Sequence, residues 1–380
     1  MENNTGKKRI VVKIGSSSLT TPTGGLNEAH LHGLVDAIAL LKKEGHEVIL
    51  VSSGAVAAGF SALGYPNRPV TLEGKQAAAA VGQGMLIQAY NDRLAAHDLI
   101  GAQILLTRND FSHRNRYHNA YNALNVLLKK GVVPIINEND TVAVDELTFG
   151  DNDMLSALVS GLLHADHLII LTDTDGLYDS DPRNNPQAKK FDKIYEITPE
   201  IEALAGDSGS KVGTGGMRSK INAAKLALSL GAEVFIGKGD HEDRLLRILH
   251  GDGAGTYFIN SMKGSIKAHK QWIAFHANTA GIIRVDQGAA QALLFGGKSL
   301  LPSGVHDVLG SFSPGQVVEV IDMEDKLLGK GIINYSDLNL LKVKGKSTSQ
   351  CKAILNIERA EAIHRDHWVS LIMEEKEEVQ

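Results

Sequence analysis

The sequence predicts an α/β protein: a mainly parallel open sheet with helices on both faces, followed by a small β-rich domain. Three observations lead there. Short apolar runs (RIVVKI at 9–14, HEVILV at 46–51, VVPII at 132–136, HLIIL at 167–171, EVFIG at 233–237) alternate with longer helical stretches, the rhythm of strands joined by helical crossovers. The first four of these runs open into Gly, Ser, Asn or Thr, and the last ends in Gly237, the residues that build turns. From about Ser261 the texture changes to short strands between glycine turns.

Length and composition narrow the function classes. A chain of 380 residues favours two or three domains. Its formal net charge of -5 gives no global pull toward nucleic acid or an anionic membrane. The single cysteine, Cys351, excludes an internal disulfide and fits a reducing compartment. Nothing near it resembles a base, so a spectator thiol is expected rather than a nucleophile. The opening MENNTGKKRI is polar and runs straight into a strand, so no signal peptide is expected. No apolar run reaches the ~20 residues of a membrane span. The expected location is cytoplasmic, without membrane association.

The first strand, Arg9–Ile14, carries Lys13 near its end, ahead of Gly15-Ser16-Ser17-Ser18. Two readings stand. A lysine beside glycine and hydroxyls suits phosphate oxygens; an edge-strand lysine would simply reach solvent. A helix is expected from about Asn27 to Glu44. The strand at 46–51 opens into Ser52-Ser53-Gly54-Ala55-Val56-Ala57-Ala58-Gly59, a small-residue turn entering a helix. Unpaired N–H groups there suit an anion, and a substrate-carboxylate site is the favoured reading. Close helix–sheet packing would also call for small residues. The turn is not the GxGxxG dinucleotide fingerprint. Gly74–His97 reads as a long Ala-rich helix on the sheet, and Ala102–Thr107 as a strand. HRNRYH at 113–118 reads as a solvated face or subunit contact rather than an RNA contact.

The stretch from Val132 to Leu155 is the most informative. Its acidic residues, Glu138, Asp140, Asp145, Glu146, Asp151 and Asp153, gather around Asn137-Glu138-Asn139-Asp140 and Gly150-Asp151-Asn152-Asp153. Short Asn and Asp side chains at a strand end can hold a small charged substrate or arrange cations around a phosphate; they also form Asx turns. A helix is expected at Met154–Leu163. The strand at 167–171 releases Thr172-Asp173-Thr174-Asp175-Gly176-Leu177-Tyr178 at the carboxyl edge of the sheet, where open α/β sheets bind ligands. The glycine- and serine-rich segment 205–217 leads into a helix from Arg218 to Leu230, with Lys220 in its first turn. Lys220 is followed by Ile221, so the Walker pattern fails. What is left is a loop of N–H donors with a lysine at a helix start, or a plain linker.

The expected domains are 1–260, a basic connector at 261–276 with Trp272, a β-rich domain at 277–356, and a tail at 357–380. Strands Gly281–Val285, Gln316–Ile321 and Lys330–Tyr335 and a helix Ala289–Phe295 are expected in the β-rich domain.

Taken in order, VVKIGSSSL, VSSGAVAAG, INEND, FGDNDMLSA, LTDTDGLY and GTGGMRSK resemble the amino-acid kinase family over about residues 8–260. GIIRVDQGAAQALLFGGKSLLPSGV and FSPGQVVEV resemble a PUA domain. The resemblance implies phosphoryl transfer from ATP to the side-chain carboxylate of L-glutamate, giving glutamyl 5-phosphate for proline biosynthesis. It implies that Lys13 lies along the transferring phosphate and that Lys220 neutralises charge on the ATP phosphates. Asp153 would hold the lysines and Mg²⁺ in register. Ser53, Asp140 and Asn152 match the glutamate-binding positions. Lys13, Thr172, Asp173, Thr214, Gly215, Gly216, Met217, Arg218, Ser219 and Lys220 match the nucleotide positions. Mg²⁺ is expected with ATP, bound through phosphates and few protein oxygens. The family also implies feedback inhibition by proline, a dimer or tetramer, and functional coupling to glutamyl-phosphate reductase.

The residues' own chemistry agrees with this. A glutamate carboxylate of pKa ~4.3 is already ionised at neutral pH, so no general base is needed. The difficulty is bringing an anion to a polyanion, which calls for cations and positioned donors. In one place the chain departs from the pattern: Thr148 stands where some members carry lysine. Other family members, of the acetylglutamate kinase, aspartokinase or uridylate kinase type, are the alternatives; INEND and FGDND beside a PUA domain favour glutamate. A protein binding RNA through its PUA domain is the alternative from another class, and the acidic balance counts against it.

Overall fold

The computed structural model describes residues 6–21, 24–142, 152–180, 182, 185, 187–204, 216–239, 243–259, 273, 279–355 and 360–371. The chain divides into two compact units, residues 1–110 with 115–265, and residues 266–380 with 111–114. Through Phe258 it runs β1 (Arg9–Ile14), α1 (Ser16–Leu19), α2 (Glu28–Lys43), β2 (Glu47–Ser52), α3 (Ala55–Gly59), α4 (Leu72–Ala95), β3 (Gly101–Leu106), α5 (Arg108–Ser112) and α6 (Arg114–Lys129). It continues with β4 (Val133–Glu138), α7 (Asn152–Leu163), β5 (His167–Leu171), β6 (Lys193–Ile194), α8 (Pro199–Leu204), α9 (Met217–Ser229), β7 (Glu233–Gly237), α10 (Arg244–Leu249) and β8 (Gly255–Phe258).

These strands form one sheet in the order β3-β4-β2-β1-β5-β7-β8-β6. Every neighbouring pair is parallel except β7 with β8. Helices cover the central strands, which is why Val11, Val12, Ile49 and Ile170 are fully buried and the strands read as unbroken apolar runs. On α2 the buried residues Leu31, Leu34, Val35, Ile38 and Leu41 follow the helical period. Each such side chain contributes about 1.5–3 kcal/mol by leaving water. Asn27 starts this helix by accepting a hydrogen bond from the His30 N–H.

The β-rich unit holds β9 (Thr279–Val285), β10 (Val305–Gly310), β11 (Val317–Ile321), β12 (Leu327–Ile333) and β13 (Ile363–Ser370). Its sheet runs β10-β9-β11-β12-β13, parallel only between β9 and β11. Residues 357–380 are therefore not simply a tail, because β13 pairs with β12 and buries Ile363, Trp368 and Val369. The charged His-Arg-Asp-His between Ile363 and Trp368 hides that strand in the sequence. Cys351 is buried among this unit's apolar side chains, and burial raises its thiol pKa, as a spectator role requires. Among the described residues no helix is long and apolar enough to cross a membrane.

Candidate active site

The strand order brings the chemistry-bearing strand ends side by side. Lys13 is the penultimate residue of β1, Ser53 follows β2, Asn137 and Glu138 close β4, and Thr172 follows β5. These four strands are adjacent and parallel, so their carboxyl ends share one edge. The chain leaves β1 for β2 on one side and returns to β5 on the other, which opens a crevice there. Helix α7 packs on β1, β2, β4 and β5, and against α9. It begins at Asn152, earlier than the sequence suggested, so Asn152 and Asp153 belong to its first turn.

Asp153 is 0% exposed, and its carboxylate joins the two lysines. Lys13 Nζ lies 2.6 Å from Oδ1, and Lys220 Nζ lies 3.1 Å from Oδ2. The lysines are themselves only 5% and 7% exposed. β1 lies between β2 and β5, so Lys13 is no edge-strand residue reaching solvent. Burying three charges is costly, and removing one partner leaves the others uncompensated. The trio carries a formal surplus of one positive charge, which suits an anionic guest. Asp153 also stands in the first turn of α7, where the helix dipole favours an acid.

Beside this ionic cluster runs a neutral one. Asn152 Nδ2 lies 2.7 Å from the Ser52 carbonyl oxygen, 2.8 Å from Asn137 Oδ1 and 2.9 Å from Ser53 Oγ. Asn137 Nδ2 donates to Gln83 Oε1 at 2.9 Å, and the Glu138 N–H donates to Asn137 Oδ1 at 2.9 Å. The Ser52 and Tyr90 hydroxyls share a buried hydrogen bond of 2.9 Å. Burial raises the Tyr90 pKa, so its phenol stays protonated. Buried polar groups need partners, and this relay supplies them between α4, β2, β4 and α7.

The small residues after β2 turn out to serve packing against a helix rather than the sheet. Gly54 adopts φ +104°, which turns the chain into α3. A Cβ on Gly82 of α4 would lie 1.8 Å from the Ala55 carbonyl oxygen. The two helices therefore meet backbone to backbone.

Asp140 lies just beyond β4 and is half-buried. Burial raises its carboxyl pKa, and the charge of Arg68 pulls it partly back. Asn139 forms the local turn: the Thr141 hydroxyl donates to its Oδ1 at 2.5 Å. The turn at Asn139 is a backbone one, the Val142 N–H donating to the Asn139 carbonyl at 3.2 Å, while Asn137 enters the buried relay. On the other side of β1, the Thr172 hydroxyl donates to Asp173 Oδ1 at 3.0 Å, and the Thr172 N–H to the Gly237 carbonyl at 3.0 Å. Gly216 caps α9, accepting from the Ser219 N–H at 3.1 Å and the Lys220 N–H at 3.4 Å. Met217 and Arg218 open that helix beside them. Thr214 and Gly215 lie outside the described residues, as do Asp145, Glu146, Thr148, Asp151 and Trp272.

Sequence reasoning missed Gln83 and Thr256. Gln83 falls among the buried Ala79, Leu86, Tyr90 and Leu94 of α4, and a lone amide at the helical period of a buried face is the signal that marks it. The buried Thr256 hydroxyl accepts from the Leu177 N–H at 2.8 Å and donates to the Phe191 carbonyl at 2.6 Å, anchoring the loop after β5. No sequence feature singled it out. HRNRYH at 113–118 is not wholly a solvated face, because Tyr117 is buried. Among the described residues no three His, Cys, Asp or Glu side chains gather so as to hold a metal ion.

Comparison with known proteins agrees with this architecture. The Amino acid kinase family profile matches residues 8–238, and the PUA domain profile matches residues 281–355. The chain is 58% identical over 365 residues to Glutamate 5-kinase 1 of Bacillus licheniformis, covering 96% of this chain and 99% of that protein. It is 55% identical over 365 residues to Glutamate 5-kinase of a Bacillus cereus strain, covering 96% of this chain and 100% of that protein. It is likewise 55% identical over 364 residues to Glutamate 5-kinase of Bacillus anthracis, covering 96% and 99%. With its sheet order, its lysine-bridged carboxylate and these matches in agreement, the chain belongs to the amino acid kinase family and carries a PUA domain after its kinase domain.

Proposed function

We infer that the protein transfers the γ-phosphoryl group of ATP to the side-chain carboxylate of L-glutamate, forming L-glutamyl 5-phosphate, the first step of proline biosynthesis. The observation that carries this reading is the convergence of Lys13 and Lys220 on Asp153, next to the Ser53–Asn152 cradle. A carboxylate oxygen attacks the γ-phosphorus, the bond to the β,γ-bridging oxygen breaks, and ADP leaves with that electron pair. No proton has to move, because the acceptor is already ionised. Charge repulsion is the barrier, and fixed ammonium groups lower it.

In this reading Lys13 lies along the transferring phosphoryl group, and Lys220 neutralises charge on the leaving phosphates. Asp153 keeps both lysines in place and limits their mutual repulsion. Asp140 receives the substrate ammonium, with Ser53 and Asn152 beside it. Thr172, Asp173 and Gly216–Lys220 receive the nucleotide, and by motif Thr214 and Gly215 join them. Both oxygens of Asp153 already face lysines. Mg²⁺ arriving with ATP would be bound through phosphate oxygens and few protein oxygens, with Asp153 keeping the lysines and the ion in register, and it would supply positive charge at the transferring group. Inhibition by proline at or near the glutamate site, a dimeric or tetrameric assembly, coupling to glutamyl-phosphate reductase and a cytoplasmic location belong to the same reading.

The test is a hydroxylamine trap for the acyl phosphate, with ATP and single amino acids. Hydroxamate is expected with glutamate. Its release with aspartate and not with glutamate would overturn the assignment.

A further inference from the structure

Thr256 lies in β8, 79 residues along the chain from Leu177, whose N–H it receives. We propose that it is a positioning residue for the nucleotide half of the site: its hydroxyl fixes the far end of the turn after β5, and through that turn the placing of Asp173. The proposal deepens the reading of Thr172 and Asp173 as nucleotide-binding residues and rests on it.

The turn leaves the sheet at Thr172 and is held at two points. At its near end the Thr172 N–H donates to the Gly237 carbonyl of β7 at 3.0 Å. At its far end Leu177 stands opposite Phe191. The Phe191 N–H donates to the Leu177 carbonyl at 2.9 Å, and beside them Tyr178 and Lys190 form an antiparallel bridge. Opposed residues next to such a bridge normally exchange two backbone hydrogen bonds. Here one is direct and the other runs through Thr256. The Leu177 N–H donates to Thr256 Oγ1 at 2.8 Å, and the hydroxyl donates onward to the Phe191 carbonyl at 2.6 Å. An N–H can only donate and a carbonyl only accept, so the direction of both bonds is settled. The hydroxyl is thus wedged into a backbone rung. Thr256 is itself fully buried, with its own backbone paired to Ile236 of β7.

One pinned end would let residues 173–176 pivot; two ends on neighbouring strands set their path. The chain also lies flush on β8 at this point. Gly176 has φ +127°, and a Cβ built on it would fall 2.6 Å from Thr256 Oγ1. Asp175 is braced inside the turn, because the Tyr178 hydroxyl donates to its Oδ2 at 3.0 Å. Asp173 lies between the two anchors and is exposed. Without the hydroxyl, the Leu177 N–H and the Phe191 carbonyl must go unpaired or close directly on each other. Closing the rung draws Leu177 toward Phe191 and off β8, and the turn moves with it. The glutamate half, held by the Asn152 bonds to β2 and β4, does not depend on that rung.

Variants of the full chain test this, with initial hydroxamate rates measured against ATP and against glutamate. Thr256→Val keeps the outline and removes the hydroxyl. It is expected to raise the ATP KM about tenfold, the scale of one lost hydrogen bond, and to leave the glutamate KM and the kcat at saturating ATP within about twofold. Thr256→Ser keeps the hydroxyl and is expected to restore the ATP KM. An ATP KM in Thr256→Ser as high as in Thr256→Val would overturn the proposal, since the methyl group and not the hydroxyl would then matter. So would equal rises in both KM values, the mark of a general loosening. Should Thr256→Val fail to fold, Gly176→Ala decides, because it presses a methyl group against Oγ1: a rise in the ATP KM alone supports the proposal, and an unchanged ATP KM overturns it. Asp173→Ala separates the proposal from the reading beneath it. If that variant leaves the ATP KM unaltered, the turn does not receive the nucleotide, and the proposal falls with the reading. If it raises the ATP KM while Thr256→Val does not, the proposal alone falls.

Discussion

Asn152 and Asp153 are consecutive, both buried, and feed two clusters that work by different physics. Asn152 belongs to a neutral relay whose amide bonds each have a direction. Asp153 belongs to an ionic bridge in which the charges matter and direction matters little. In the proposed reading, hydrogen bonds between neutral groups orient the acceptor and would contribute little against the repulsion of phosphate by carboxylate. Ammonium groups counter that repulsion but do not tell one end of an amino acid from the other. On that proposed reading, one turn of α7 joins selection to charge compensation, and the two can be broken separately.

The sharpest break is Asp153→Asn. It leaves two buried ammonium groups facing an amide, and loss of one partner from a buried ionic group costs about 3–5 kcal/mol. A large fall in Tm is expected, with ATP raising the Tm of the variant more than that of the unaltered protein because phosphates take over the role of the carboxylate. Equal ATP shifts in both proteins would show that Asp153 does not compensate the lysines.

Lys220→Ala comes next. Removing a cation from the transferring group is expected to lower kcat by about 10²–10³ with both substrates saturating, by analogy with losing one fixed donor at a developing charge. Unchanged turnover would take Lys220 out of the transition state.

Asp140→Asn sharpens the comparison from the neutral side. Loss of the charge-assisted bond to the substrate ammonium is expected to raise the glutamate KM about 10–100-fold, from roughly 1.5–3 kcal/mol, with the ATP KM little changed. The reverse pattern would mean that the subsites are exchanged. The same variant carries a smaller stability effect. Burial raises the Asp140 pKa in the folded protein, so the folded state holds its proton more tightly than the unfolded chain does. The ionised carboxylate therefore destabilises the fold above that raised pKa, and Asp140→Asn is expected to raise Tm at neutral pH. The gain should fade as pH falls through the raised pKa and vanish below the ordinary carboxylate range, where both states are protonated. In the unaltered protein, glutamate affinity should fall at a higher pH than an unperturbed aspartate would give.

Much of the fold was legible because buried parallel strands write themselves as apolar runs ending in turn residues. The convergence of Lys13, Lys220 and Asp153 was legible through motif order. What the chain could not reveal locally was strand order. Whether Lys13 is a solvated edge residue or a buried central one depends on β5 pairing with β1 from more than a hundred residues away. The same limit hid β13, whose polar middle reads as a tail until Gly331 and Trp368 pair. Asn137 and Asn139 look equivalent in INEND, yet one enters the relay and the other makes a turn. Period-two alternation would put both on one face; they differ because β4 ends at Glu138 and leaves Asn139 outside the strand. Gln83 was readable in principle, as an amide at the period of a buried helix face.

The backbone contact between α3 and α4 carries a consequence for engineering. A single methyl group at Gly59 or Gly82 has nowhere to go except through the main chain of the opposing helix, since built Cβ atoms would fall 2.1 Å from the Ala78 carbonyl oxygen and 1.8 Å from that of Ala55. Pushing α3 aside would shift Ser53, which sits two residues before it. Attempts to retune this pocket for another carboxylic acid should therefore hold both glycines constant and vary the polar side chains around them.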